Sequence, residues 1–391
     1  MHLLTRVAAA LGVLALAVAA SFVGTHNLVA APSVVGHVYV NDNTAGTNTI
    51  GAFNRLANGA LVPMHGSPFA AGGAGTGQNI GSQGALQITG DGNYLIAADA
   101  GSNQISVLRI GPDGELRAVG GGPVSSGGIE PISIAVHGNL VYVANEGDGT
   151  SGSNYTGFTL NSGGHLTPLA GSTVALPATA NPGDVFFSPD GAHLVGTEVG
   201  TTDPSTFRID SFLVGADGRL TPAAGSPVAA QGAGPFGSEF RPTNSSQLFV
   251  SNAHGGASNG SISAFNVAGD GGLTSILGSP FADQQTAPCW VEISHDGQYL
   301  FTVNTGTPSI SRYAIADDGS LTLLGSTPFA HPAGLRPFDA RLAPSGDFLY
   351  VVDSGLDTVS VFAVNGGSLT ELSASPFTEP AGAKPFGLVV D

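Results

Sequence analysis

The sequence predicts an all-β chain: a seven-bladed β-propeller of four-stranded antiparallel blades, closed by its C-terminal strand pairing with the N-terminal blade. Three observations predict it. A four-strand unit recurs along the chain, with 53 residues from Pro182 to Pro235 and 48 from Pro337 to Pro385, the repeat that propeller blades require. Asp-Gly or Asn-Gly pairs stand at the same places in successive units, where two-residue hairpin turns need residues that tolerate positive φ. The first unit lacks a first strand, and the chain finishes on a first strand that has no unit of its own.

The elements follow in order. Arg6 precedes an apolar run from Val7 to about Ala20, with small residues at Ala17, Val18 and Ala19. Residues 1–31 are therefore expected to be a signal peptide and short leader, with a retained membrane anchor as the alternative. Export would make the protein secreted, periplasmic or bound at the cell surface. Residues 32–391 are expected to form a single propeller domain. Blade 1 opens at a second strand, His37 to Asn41. The first strand and turn from Pro182 to Gly191 have counterparts starting at Pro235, Pro288 and Pro337, and looser copies starting at Gln83 and Pro131. Each leads to a second strand, which in five of them ends in Asn or Asp (Asp99, Asn145, Asn252, Asn304, Asp353), then a third strand, then a fourth beginning at Leu after a Gly turn. The Gly-rich stretch from Gly72 to Gly84 reads as a long flexible loop between blades. The orphan strand from Pro385 to Asp391 is expected to complete blade 1, burying Leu388, Val389 and Val390 and removing two open sheet edges.

Charge limits the partners. The chain carries 11 Lys and Arg against 28 Asp and Glu, a formal charge of −17, and loss of a leader containing Arg6 would make it 10 − 28 = −18. A field of that sign repels phosphate backbones and anionic lipid, so neither nucleic acid nor a membrane surface is expected as a partner, and no membrane insertion is expected once the signal is removed. The single Cys289 permits no internal disulfide. A monomer held by packing alone is expected.

The Ser-Pro-Asp-Gly turns, the Leu-Tyr-Val strands and the Asp-Gly-x-Leu-Thr elements recur from residue 36 to 391. In these the chain resembles the lactonase family of seven-bladed propellers, which includes bacterial 6-phosphogluconolactonases and fungal carboxymuconate-cyclising enzymes. The resemblance implies a site at first-strand starts and a second-strand end around blades 4 and 5. It implies a His near position 183, an Arg and a His in the stretch matching Gly234 to Gly237, and a Glu near position 252. This chain has Gly183, Phe236, Gly237 and Asn252 at those places. The cation that would stabilise a developing oxyanion and the general base are both missing.

A residue present in every blade is structural, because one site needs it once; the informative residues break the repeat. Antiparallel order puts first-strand starts and second-strand ends on one face, called the upper face below. After each first-strand Pro, the third and fifth positions are mostly apolar (Val185 and Phe187, Val291 and Ile293) and are expected to pack between blades. The second and fourth positions carry Asp184, Glu239, Trp290, Glu292, Asp339 and Arg341. Charges on an innermost strand are costly unless hydrated or paired, so these residues are expected to line a wet central channel, with Glu146 and Glu198 extending an acidic rim.

Several readings stay open. The rim can be solvated and empty. Asp184, Glu146 and Glu198 can hold Ca²⁺ through oxygen ligands, or one of them can serve as the base of a lactone hydrolase, with or without a metal. Arg336 and Lys384 can clamp an anionic ligand beside Asp339, Glu239 and Glu292, with Trp290 as a stacking surface. The motif Gly256 to Gly260 matches the Gly-x-Ser-x-Gly nucleophile pattern, but it falls in a hairpin loop rather than a strand-to-helix elbow. The leading expectation is a binding or interaction scaffold whose funnel face meets a small molecule, polysaccharide or protein. The alternative is a hydrolase acting on a sugar lactone.

Overall fold

The computed structural model describes residues 32–391, so the expected signal peptide lies outside the described residues. Seven antiparallel sheets form the body, each with four strands in simple up-and-down order, and six of them gain a short fifth strand. Counting from the N-terminus, the inner strands of blades 2 to 7 are Leu86–Ile88, Pro131–His137, Pro182–Phe187, Pro235–Arg241, Pro288–Ile293 and Pro337–Leu342. Blade 1 takes its inner strand, Gly387–Val390, from the far end of the sequence. Each inner strand packs against the next around the axis, and the last packs against the first. The ring is closed.

Closure rests on the pairs Val38 with Val390, Tyr39 with Val389, Val40 with Leu388 and Asn41 with Gly387. Leu388 is 0 % exposed and Val389 is also buried, whereas Val390 is only half-buried, at the lower end of the strand. That half-burial departs from the expectation that all three would be covered. Polar contacts fix the register beyond the last strand: Arg55 Nη2 donates to the Asp391 carbonyl at 2.7 Å, and His37 Nδ1 lies 3.0 Å from Asp391 Oδ2. The third and fifth positions of inner strands, among them Val185, Phe187, Val291 and Ile293, pack between blades as their apolar character demands.

Two segments differ from the sequence expectation. The Ser-Pro-Phe links end in two-residue strands, such as Phe69–Ala70, that pair with the third strand of their own blade. The stretch from Gly72 to Gly84 is tied down rather than free. Asn43 Nδ2 donates to Gln78 O at 2.7 Å, and Asn43 Oδ1 accepts from Thr76 N at 2.8 Å. Gly75 runs so close to Asn43 that a β-carbon there would collide with the Asn43 backbone. The glycines in this loop serve close approach, and the loop leads to the axis, so that the inner strand of blade 2 starts at Leu86 rather than at Gln83.

Leu388 sits fully buried at the seam, so Leu388→Ala should destabilise the fold by about 2–5 kcal/mol. Deleting residues 384–391 should remove the cooperative thermal transition and give an aggregating product by size-exclusion chromatography. A monomeric truncation with the parent melting temperature would contradict closure through this strand.

Candidate functional site

The axis of the ring is layered. At the upper level the segment Ile80–Gly84 turns inward and fills the channel. Gln83 N donates to Gly183 O at 3.1 Å, and Gln83 Nε2 donates to Ser238 O at 3.1 Å and Val291 O at 3.3 Å. Its Oε1 accepts from Val291 N at 3.1 Å. Trp290 Nε1 donates to Ser82 O at 2.6 Å. One glutamine thus ties this segment to blades 4, 5 and 6, acting as a plug.

Packing fills the places where the resemblance implies ionisable side chains, and at Gly237 it is the plug that does so. A β-carbon on Gly237 would fall on the Gln83 side-chain oxygen, and one on Gly183 would press on Val199 at 2.8 Å and lie 3.4 Å from the Phe236 backbone. Phe236 and Phe338 cover Trp290, with ring centroids 5.4 and 4.9 Å away. Asn252 spends its amide on Ser261 and Ser263. Trp290 is 1 % exposed, which corrects the expectation of a stacking surface: the ring is enclosed and its N–H already donates within the protein.

The middle level is dry as well. Asp184, 1 % exposed, accepts from Ser133 Oγ at 3.2 Å, Ser238 N at 2.9 Å and Ser238 Oγ at 2.7 Å, so it links three neighbouring blades. Asp339, 0 % exposed, accepts from Gly84 N at 3.2 Å and from Arg341 Nη1 at 3.1 Å. Neither faces open water, so the channel is not wet along its whole length. Burial outweighs these hydrogen bonds and pushes Asp184 up to about 7; burial also raises Asp339, against the pull of Arg341.

Below Gln83 the channel widens into a chamber of about 270 Å³. Inner-strand residues supply its lining: Phe186, Glu239, Glu292, Arg341 and Val389 in order around the axis from blade 4 to blade 1, and then Gln87 of blade 2. It opens where the inner strands end, beside Pro242, His295 and Val390. This is the face opposite the one the sequence suggested. Glu292 Oε1 accepts from Leu342 N at 2.8 Å, and its Oε2 lies 3.5 Å from Arg341 Nη1. Arg341 Nη2 and Glu239 Oε2 have no partner. Burial, and then the charge of Glu292, hold Glu239 well above the usual carboxylate range; burial brings Glu292 to about 7 despite Arg341. Burial pulls Arg341 down, but Asp339, Glu292, Glu239 and Asp184 together overcome it and raise the guanidinium further.

The remaining sequence candidates are dispersed. Glu146 lies near Glu130, and burial followed by that like charge raises it to about 7. Glu198 shares a hydrogen bond with Asp210, whose Oδ2 accepts from Tyr155 OH at 3.0 Å. Burial and then the Asp210 charge bring Glu198 to about 8, while burial leaves Asp210 at about 6. This pair lines a cleft of about 460 Å³ with Arg208, Leu176 and Pro177. Glu146, Asp184 and Glu198 therefore serve separate neighbourhoods, and among the described residues no group of three His, Cys, Asp or Glu is arranged to hold a metal ion. Lys384 Nζ pairs with Asp357 Oδ1 at 2.9 Å, and Arg336 is exposed, with its guanidinium 5.7 Å from the Phe338 ring. The two cations share the upper face but not a pocket with Trp290. Sequence reasoning missed Gln83 and Asp210. The missing Pro at the start of the blade-2 copy was the available signal for the first; nothing in the repeat marks the second.

A model of the family described as lactonase, 7-bladed beta-propeller, matches residues 46–177 and 239–385. The unmatched stretch between them contains Gly183, Phe236 and Gly237. No curated protein matches the chain. Solved structures similar to it include a proposed 6-phosphogluconolactonase of Bacteroides uniformis (20% identity, TM-score 0.72, covering 92% of this chain and 100% of that one). The periplasmic gluconolactonase PpgL of Pseudomonas aeruginosa is also similar, at 17% identity and TM-score 0.67, covering 91% of this chain and 98% of that one. At such identities the likeness carries the fold.

The buried acids set a pH dependence. A free carboxyl titrates at about 4, so stability from Asp184 is complete below that value and is lost as pH rises through about 7. Glu292 at about 7 and Glu198 at about 8 act in the same sense. The melting temperature should therefore be several degrees higher at pH 5 than at pH 8, and Asp184→Asn should narrow the gap. A melting temperature that is flat or rising across that interval would contradict these assignments.

Proposed function

This chain belongs to the lactonase family of seven-bladed β-propellers, and from that premise we propose that it works as a non-catalytic binding or interaction scaffold. The observation that carries the reading is the plug. Gln83, Trp290 and Phe236 fill the upper channel, and the glycines at 183 and 237 leave no room for an imidazole. Acyl-transfer chemistry needs a base and an oxyanion donor converging on an open position; the upper axis has neither the groups nor the space. On this reading the protein is an exported monomer that meets a small molecule, glycan or protein.

One observation favours a hydrolase as a second reading. In the Glu198–Asp210 pair, burial raises both carboxyls and the charge of Asp210 raises Glu198 further, and a cleft lies open beside them. A carboxyl pair that shares one proton offers an acid and a base to act together on a water and a ring ester. Among the described residues no third His, Cys, Asp or Glu joins this pair in a metal-holding group.

A panel of aldonolactones and their 6-phosphates, assayed by proton release with and without EDTA, separates the two. The scaffold reading expects no rate above the spontaneous one. Turnover abolished by Glu198→Gln or Asp210→Asn, in a variant that still melts cooperatively, would overturn it in favour of the hydrolase.

A further inference from the structure

We propose that a calcium ion binds at the seam of the ring, enclosed between Asp42 of blade 1 and Glu379 of blade 7. The site shares no residue with the axis or with the Glu198–Asp210 cleft, so neither reading of function depends on it.

The seam breaks a pattern that blades 2, 5 and 6 share. Asn304 lies opposite Ser309 and bonds Ser311 two residues on, Nδ2 to Oγ at 2.9 Å. Asn252 bonds Ser263 in the same way at 2.9 Å, and Asp99 accepts from Ser106. Asp42 holds this place in blade 1, its N–H donating to Thr49 O, but two residues beyond Thr49 stands Gly51. The hydroxyl is missing. Glu379 comes in from blade 7 instead, directly after the short strand Phe377–Thr378. Its counterpart in blade 5, Asp283, accepts from Tyr313 OH at 3.2 Å. The residue of blade 1 in the place of Tyr313 is Phe53, which has no donor to give.

Two acids are therefore left facing each other. Asp42 is 0 % and Glu379 5 % exposed. Thr49 Oγ1 donates to Asp42 Oδ2 at 2.8 Å, but among the described residues Asp42 Oδ1 and both Glu379 oxygens have no hydrogen-bond partner. A β-carbon on Gly51 would lie 2.5 Å from Glu379 Oε2 and 2.9 Å from Asp42 Oδ1, so the two carboxyls converge beside it. Unpaired buried carboxylates are costly. Protonation does not satisfy them, because each added O–H needs an acceptor of its own. Glu198 and Asp210 solve that problem with a hydrogen bond to each other, whereas Asp42 acts on Glu379 through its charge. Nor is the neighbouring cation free: Lys384 Nζ is held by Asp357 at 2.9 and 3.0 Å.

A divalent ion matches the charge of two carboxylates, and Ca²⁺ completes its shell with hydroxyl, carbonyl and water oxygens. It enters past the Lys384–Asp357 pair, whose side chains are 35 % and 30 % exposed. That pair adjoins the acids through Lys384 N to Asp42 O at 2.7 Å and Glu379 N to Asp357 O at 2.9 Å.

The test is a calorimetric titration of the EDTA-stripped full chain with calcium chloride, with thermal melts in and out of the ion. One Ca²⁺ per chain should bind with a Kd of about 1 mM or tighter, and saturation should raise the melting temperature by several degrees. Glu379→Gln removes a charge and brings an N–H donor, so it should melt cooperatively without calcium and bind the ion about tenfold more weakly or worse. Gly51→Ser restores the hydroxyl of blades 2, 5 and 6 and should act in the same sense. Glu146→Gln, in blade 3, should leave the titration unchanged. Absence of saturable binding would overturn the proposal, as would parent affinity in both Glu379→Gln and Gly51→Ser. Loss of binding in Glu146→Gln would place the ion elsewhere and overturn it too.

Discussion

Four residue pairs between Val38–Asn41 and Gly387–Val390 turn a row of similar sheets into a ring. The functional geometry depends on them. Because blade 1 borrows its inner strand from the other end of the chain, all seven inner strands run in the same direction along the axis. Their second positions meet at one level and their fourth positions at a lower one. The same arrangement sends the polypeptide from the outer edge of blade 1 to the axis at the start of blade 2. Fifteen residues, 71–85, make that journey, against six, 176–181, between blades 3 and 4. The surplus length is what reaches the axis as the plug.

The plug settles the electrostatics. It excludes water from the level of Asp184 and Asp339 and supplies Gly84 N as one of the few donors there. Several acids then share the neighbourhood of one guanidinium, and burial keeps part of them protonated near neutral pH. A chain with a formal charge of −17 can carry such a core because the interior acids do not all ionise. The glycines at 183, 237 and 387 belong to the same solution. A side chain at 237 or 387 would strike the plug region, and one at 183 would press on Val199 of its own blade.

The repeat made the fold legible. Turn pairs such as Asp190-Gly191 and Asp296-Gly297 close hairpins, the alternation along Pro182–Phe187 separates axis from blade interface, and the orphan strand finds its partner. Such features depend on local chemistry and period, which sequence records directly. The site was legible only in part. Glu239, Glu292 and Arg341 were identified as channel residues and do line the chamber, but Trp290, Asp184 and Asp339 were expected to meet water and do not. What hid this was a contact between Gln83 and Val291, 208 residues apart, for which no repeat gives a signal. A Gly-rich stretch reads as freedom in sequence, yet Gly73 and Gly75 are small because something packs against them. The Glu198–Asp210 pair was half seen, since only the strand-end member breaks the repeat visibly.

The central claim is that the upper axis is filled, with Ser82 and Gln83 seated against Trp290. Trp290 is the chain's one tryptophan, so its fluorescence reports this position alone. Acrylamide quenching of the native protein is the direct measurement. The structure predicts blue-shifted emission and a quenching constant far below that of the unfolded chain. Red-shifted emission, quenched in the native state as readily as in denaturant, would mean that the plug is not seated and the channel is open from above.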